Sequence, residues 1–303
     1  MAADKQVAVL DIDPELDDLD SDTDLPDEIF DLEDDSPSTW KRVISQSNIL
    51  ISSSYELSLT EIRLLRLCMS SIDARKPFRH KRFLIRASDY AETFKVTADA
   101  AYLALNDAAN TLFDREIRLG NSKNGRRIRW ISEIKYHKGM GEVEIHFTDQ
   151  VIPQITGLNK LYTQYRAGSI VDLTSVYSVR IYEWLCQFRS TGWMKIRISE
   201  LRDRLNLVES YPKFNDLRRR VIDVAINEIN KRTDLNVEVE FIKRGRSIEM
   251  IEFKFSTQPV QNILNLEPTA QELKAEIGIG DGHLAAPLPH HPACGSAPGG
   301  SRG

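Results

Sequence analysis

Apolar positions in this chain follow two rhythms that alternate along its length. Ile62, Leu65 and Met69 recur at helical spacing just after Ser58, Leu59, Thr60 and Glu61. In that capping-box sequence the Ser58 hydroxyl can accept from the Glu61 backbone while the Glu61 carboxylate reaches back to Ser58. Phe83 to Ile85 reads as a short strand, Ser88 as the cap of a helix carrying Tyr90 and Phe94, and Thr97 as the cap of a longer helix. In the longer helix Leu105, Ala108, Ala109 and Leu112 form one stripe. A period of two then takes over, the mark of a hairpin with one buried face. Ile128, Trp130, Ile134 and Tyr136 share a parity, Val143, Ile145 and Phe147 share one on the return strand, and HKGMG supplies the turn. From about Val151 to Gly168, Pro153 and Gly157 punctuate a join in which Leu161, Tyr162 and Tyr165 read as a short helical link.

The same order then recurs. A helix over Leu173 to Phe188 is followed by a strand from Lys195 to Ile198, a helix from Ser199 to Leu205 and a long helix from about Lys213 to Lys231. A second hairpin places Val237, Val239 and Phe241 opposite Ile251, Phe253 and Phe255. The letters repeat as well as the order: SLTEIRLLRL at Ser58 matches DLTSVYSVRI at Asp172, and IRASDYAETF at Ile85 matches IRISELRDRL at Ile196. The helical LNDAANTLF at Leu105 likewise matches VIDVAINEI at Val221. Helix, strand, helix, helix, hairpin is the order of a winged helix-turn-helix, and its duplication predicts an α+β chain of two such domains. The expected boundaries are 40–158 and 159–258, with disordered tails at 1–39 and 259–303.

Charge changes the picture because its sign is segregated. The 303 residues carry a formal −5, yet residues 1–39 hold fifteen acidic residues against one lysine, which leaves residues 40–258 moderately basic. A basic body fits a polyanionic partner. The acidic tail has too little apolar surface to offset the entropy of ordering. It reads either as a solubilising segment or as a switch, with LPDEIFDLEDD docking on a partner or folding back on the basic surface. Cys68 and Cys186 lie in apolar helical contexts and read as buried thiols. His290, His291 and Cys294 sit in a low-complexity tail, so no metal and no cofactor is expected. With no long apolar run and no signal peptide, the expectation is a soluble cytosolic protein with no membrane partner.

The candidate chemistry lies in the second copy. In its long helix Phe214, Leu217, Val221, Val224, Ala225 and Ile229 define the buried face, which leaves Arg218, Arg219 and Arg220 to project elsewhere. Recognition helices meet base edges through their N-terminal turns, and arginine pairs bidentately with guanine. Lys213, Asn215, Arg218, Arg219 and Arg220 are therefore the expected base contacts on double-stranded DNA. Lys243, Arg244 and Arg246 surround Gly245 at the wing tip and are expected on phosphates. In the first copy Lys123, Arg126, Arg127, Arg129 and Lys138 are expected backbone contacts, since its long helix carries no cation in the matching turns.

The run LTSVYSVRIYEWLCQFRSTGW, then IRISELRDRL, FNDLRRRVIDVAINEINKRTD and the hairpin ending IEFKF resembles the C-terminal winged helix of the iteron-plasmid replication initiators. The preceding unit resembles their N-terminal winged helix, and the likeness spans about Trp40 to Thr257. It implies a plasmid-encoded bacterial protein whose monomers bind direct repeats (iterons) at an origin, help open adjacent A+T-rich DNA, and bring in the host initiator and replicative helicase. It also implies a homodimer, joined through the first winged helix, that binds an inverted repeat and represses its own gene. Both tails depart from the family. Two other readings stand beside this one: a tandem winged-helix transcription regulator, and a DNA-processing enzyme. The enzyme reading has little to stand on, since the chain has no His-x-His and no GxxxxGK, and Asp149 and Asp234 have no identifiable partners.

Overall fold

The computed structural model describes residues 42–72, 74, 81–120, 125–137 and 139–258, together with the chain trace of 29–31. Strand β1 (Ile29–Asp31) precedes β2 (Val43–Ser47), α1 (Asn48–Ser52), β3 (Ser54–Tyr55) and α2 (Leu59–Ser70). The capping box of α2 forms as its spacing dictates: Ser58 Oγ accepts from Glu61 N at 3.2 Å and Glu61 Oε2 accepts from Ser58 N at 2.6 Å. Then come β4 (Arg82–Arg86), α3 (Ala87–Phe94) and α4 (Ala98–Thr111), the last capped by Thr97. Ser88 does not cap α3. Strand β4 runs straight into the helix, Ala87 N donates to Gly141 O at 2.7 Å, and Ser88 already lies in the first turn.

Next follow β5 (Glu116–Leu119), β6 (Arg126–Arg129), β7 (Ile131–His137) and β8 (Glu142–Phe147). The wing of the first copy is β7–β8, sheeted with β4 in the order β1-β4-β8-β7, while β3, β5 and β6 form a separate small sheet. Ile128 and Trp130 therefore do not share a hairpin strand with Ile134 and Tyr136. The chain breaks at Trp130, which is fully buried and packs edge-on against Tyr55 at 5.1 Å, and a bulge between Ile131 and Glu133 resets the parity. Strand β1 lies inside the acidic segment expected to be disordered. The rest of both tails, with Lys123, Lys138, His290, His291 and Cys294, lies outside the described residues.

The join holds α5 (Ile152–Ile155), β9 (Tyr162–Arg166) and α6 (Gly168–Val171). The expected helical link is thus a strand. Strand β9 pairs antiparallel with β2, from Val43 opposite Arg166 to Ser47 opposite Tyr162, with Thr163 and Tyr165 buried and Gln164 and Arg166 exposed between them. Period-two burial of this kind suits a strand with a partner, and the partner is over a hundred residues upstream.

The second copy contains α7 (Val176–Gln187), β10 (Trp193–Arg197), α8 (Ile198–Arg204), α9 (Phe214–Leu217), α10 (Asp223–Arg232), β11 (Leu235–Arg244) and β12 (Ser247–Thr257). Its sheet order is β10-β12-β11, and Val237, Val239 and Phe241 face Phe255, Phe253 and Ile251 as the alternation predicts. Helix α7 begins at Val176 rather than Leu173, because Ser175 caps it and the Glu228 carboxylate accepts from the backbone N–H groups of Thr174 and Ser175. Cys68 and Cys186 are buried free thiols, as expected.

The two copies meet around a buried charge cluster. Arg66 of α2 and Arg180 of α7 occupy equivalent positions of the duplicated helix and are both buried. Between them lies Glu183, which accepts from Arg66 Nε at 2.7 Å; the two side chains are 0–1% exposed. Tyr165 donates to Glu183 Oε1 at 2.6 Å, and Gln46 donates to Tyr165 at 2.9 Å. Arg180 donates to Ser53 O at 2.6 Å and lies 3.6 Å over the Tyr55 ring. Burial alone would raise the Glu183 carboxyl, but Arg66, then Arg180 and Tyr165, outweigh it and hold it below the ordinary glutamate range. A depressed carboxyl supplies stability above its unfolded pKa and loses it as pH falls through its folded value. Glu183→Gln should therefore lower unfolding free energy by about 3–5 kcal/mol at neutral pH, because it leaves two buried guanidinium groups without a counter-charge. It should also remove part of the acid-induced loss of stability. Denaturant titrations across pH check both, and equal midpoints for the two proteins at neutral pH would refute the assignment.

Candidate nucleic-acid interface

The three adjacent arginines fall on a turn of π-helix. Residues Arg218–Ile222 join α9 to α10, and Asp223 N donates five residues back to Arg218 O. The wider turn rotates everything downstream of it. Leu217, Val221, Ile222, Ala225 and Ile229 are buried, whereas Val224, placed by simple helical spacing on the buried face, is 38% exposed. One inserted residue in the ladder explains the exchange of Ile222 for Val224. Exposed Arg220, Val224, Asn227 and Lys231 then line one stripe of the helix. Asn227 and Lys231 do not stand out in the sequence, and Val224 reads there as part of the opposite face, because nothing local marks a π-turn.

Among the arginines the surroundings differ. Arg218 pairs with Asp223 at 3.3 Å and stacks 4.7 Å from the Phe241 ring centre, so it is tied to the wing. Phe241 also meets Phe214 edge-on at 5.4 Å, which links the start of the helix to β11. Arg219 is 72% exposed and touches Asp216 at 3.5 Å, while Arg220, Lys213 and Asn215 are exposed. At the wing tip Gly245 has φ +63, a conformation that suits glycine, and Lys243, Arg244 and Arg246 around it are exposed. Arg244 pairs with Glu249 at 3.2 Å. Helix and wing thus present their cations from two elements locked together by Phe214, Phe241 and Arg218.

The turn before the helix is held by a residue that the sequence alone does not single out. Arg202 of α8 donates to Ser210 O at 2.7 Å and Tyr211 O at 2.6 Å. These bonds fix a segment in which Asn206 and Tyr211 both have positive φ. An arginine a few residues before a polar turn carries no distinguishing pattern in sequence.

In the first copy Arg126, Arg127 and Arg129 lie on β6 and are exposed. Arg127 pairs with Glu116, and Arg129 stacks 5.1 Å from Phe113 with Asp114 at 3.8 Å. They are on a different sheet from the wing of that copy. Asp149 and Asp234 do have partners: Lys81 at 2.7 Å for the first, Arg189 at 2.7 Å and Tyr182 at 2.8 Å for the second. Among the described residues no cluster of three or more His, Cys, Asp or Glu is placed to hold a metal, and no helix is long and apolar enough to cross a membrane.

Two models of one protein family match this arrangement: "Initiator Replication protein, WH1" over residues 43–186 and "Initiator Rep protein, WH2" over residues 197–255. The chain belongs to this family of replication initiators with two winged-helix domains, as the sequence resemblance implied. Its relatives include the PI protein of Escherichia coli, 28% identical over 254 residues that cover 71% of this chain and 83% of that protein. Another is a replication initiation protein of Escherichia coli, 25% identical over 222 residues, with coverage of 70% and 69%. The crystal structure of Pi initiator protein in complex with iteron DNA is similar with a TM-score of 0.63 at 25% identity, covering 72% of this chain and 98% of that one.

The Arg202 bonds carry a direct expectation. Arg202→Ala should lower stability by ~1–3 kcal/mol and speed hydrogen exchange across residues 205–213, leaving the β11–β12 hairpin unchanged. Unaltered exchange in that turn would show that its conformation does not depend on Arg202.

Proposed function

We propose that this protein initiates plasmid replication by binding direct repeats at an origin, with the α9–α10 helix reading bases and the β11–β12 wing holding phosphates. The observation that carries the reading is the exposed arginine turn locked beside a basic wing, in a fold shared with an initiator whose crystal structure contains iteron DNA. Arg219 and Arg220 are the foremost base readers, with Lys213 and Asn215 at the start of the helix. Arg218, stacked on Phe241, contributes through one face and positions the wing through the other. Lys243, Arg244 and Arg246 grip the backbone, and Arg126, Arg127 and Arg129 of the first copy, with Lys123 and Lys138, add contacts there.

The region 159–258 carries sequence preference, and the region 40–158 carries dimer contacts and mainly backbone contacts. As a monomer the protein opens the origin and recruits the host initiator and replicative helicase; as a homodimer it binds an inverted repeat and represses its own gene, all within the bacterial cytoplasm. A regulator of transcription built on the same fold would need only a lone palindrome, so direct repeats of ~20 base pairs beside the gene distinguish the two.

Two measurements test the division of roles. Arg219→Ala or Arg220→Ala should weaken binding to the repeat by ~1–3 kcal/mol and to random duplex far less. Equal losses on both DNAs would move these residues to phosphate binding. Replacing Lys243, Arg244 and Arg246 with alanine should reduce the slope of log affinity against log salt by ~0.9 for each phosphate no longer neutralised, with site preference retained. An unchanged slope would take the wing off the DNA.

A further inference from the structure

The long helix of the second copy presents one stripe whose polar side chains are committed to nothing else in the fold. Arg218 and Arg219 pair with Asp223 and Asp216, Arg232 donates to Asp172 O at 2.6 Å, and Asn230 holds both the N–H and the carbonyl of Val237 on β11. Arg220, Asn227 and Lys231, by contrast, are exposed and make no ion pair or hydrogen bond among the described residues. Val224 sits in the middle of this stripe with 38% of its surface exposed. It is there because the π-turn at Arg218–Ile222 carries it off the core and takes Ile222 in. A branched apolar side chain at an exposed helical position lowers helix propensity and forgoes the burial that would offset it. A single exposed valine is ordinary on a protein surface. What singles this one out is its three uncommitted polar neighbours and its place one turn, about 6 Å, beyond Arg220.

We infer that Val224 reads a thymine: its isopropyl group packs on the C5 methyl of a T·A pair in the major groove, beside the base contact made by Arg220. The inference rests on the base-reading role proposed above for this helix, and adds to it a base edge that arginine does not recognise. Arginine addresses guanine through O6 and N7, so the cations of the stripe alone leave A·T positions unread. The C5 methyl is the apolar group that the major groove offers, and an apolar side chain is its partner. Two such groups that leave water to meet each other contribute on the scale of one buried methyl, or ~4-fold in affinity. The contact is uncharged, so its discrimination persists at salt concentrations that weaken the phosphate contacts of the wing. The ~6 Å between Arg220 and Val224 spans about two base pairs, which places the thymine close to the base that Arg220 reads.

The test uses the full-length protein and the duplex that it selects from a random pool. Each thymine of that duplex is replaced in turn by deoxyuridine, which keeps the base pair and removes only the C5 methyl. One replacement, within about two base pairs of the position whose preference relaxes in Arg220→Ala, should weaken wild-type binding by ~4-fold. Val224→Ala should bind the unmodified duplex ~4-fold more weakly, lose its sensitivity to that replacement, and keep its affinity for random duplex. The thermal midpoint of each variant checks folding. Where alanine lowers it, Val224→Thr, which keeps the branched shape but exchanges one methyl for a hydroxyl, decides by reduced sensitivity at the same thymine. A scan with no sensitive thymine would overturn the contact and leave the arginine readout standing. So would a thymine whose replacement costs as much in both Val224 variants as in wild type. If the wild-type protein selects no duplex from the pool, the base-reading role fails and this inference fails with it.

Discussion

Two guanidinium groups share one buried carboxylate at the centre of this molecule, and the placement of both winged helices follows from that. Arg66 and Arg180 are the same residue of a duplicated helix, but Glu183 has no counterpart, since Met69 occupies the matching place in the first copy. The cluster is therefore asymmetric, and one carboxylate must serve both arginines. Tyr55, Tyr165, Gln46 and the carbonyl of Ser53 add directed hydrogen bonds to it. Such a cluster is weak evidence for net stability but strongly disfavours rearrangement, because moving either helix strands a charge away from water. The β2–β9 ladder, the bond from Trp184 Nε1 to Ile51 O at 2.9 Å and the bond from Ser54 to Asp203 O reinforce the same contact.

From that centre the second copy is built outward. Helix α7 holds Glu183 inward, and its N-terminus is capped by Glu228 of α10, so the long helix is tied to the cluster through one intervening element. Burial of Glu228 would raise its carboxyl, but the hydrogen bonds from Ser178, Thr174 and Ser175 lower it, which keeps the cap charged. The exposed stripe of the helix is then set by the π-turn rather than by hydrophobic spacing alone. The Phe214–Phe241 contact carries the orientation on into the wing, so helix and hairpin are packed against each other.

Much of this is legible in the residues. The capping box at Ser58, the cap at Thr97, the partners across β11–β12 and the duplicated order all depend on local chemistry that a sequence displays. What escapes depends on partners distant in the chain. Leu161 to Arg166 has no strand partner nearby, so its alternation reads as part of a helix; the partner is β2. Trp130 reads as part of a hairpin because parity continues across it, although the fold uses it as a break between two sheets. The exchange of Ile222 for Val224 reflects a single inserted residue in a hydrogen-bond ladder, which helix periodicity cannot register. The candidate cations are legible as a group, but their different tasks are not, because stacking on Phe241 separates Arg218 from its two neighbours only in three dimensions.

The carboxylates beside the arginines raise the question of whether they hinder DNA. Arg219 and Arg218 face Asp216 and Asp223 across largely solvated gaps. Exposed pairs of this kind contribute ~0.2–1 kcal/mol, whereas a bidentate arginine–guanine contact discriminates by ~1–3 kcal/mol. On the base-reading role proposed for this helix, these weak pairs are readily exchanged for a base edge. The aspartates repel phosphates, which penalises any docking that brings the backbone rather than a base edge to the helix. An arginine turn with interleaved aspartates is in this way better suited to selective reading of a groove than to general adhesion. The wing, whose tip runs Lys243, Arg244, Gly245, Arg246 with no acidic residue interleaved, is better suited to the latter.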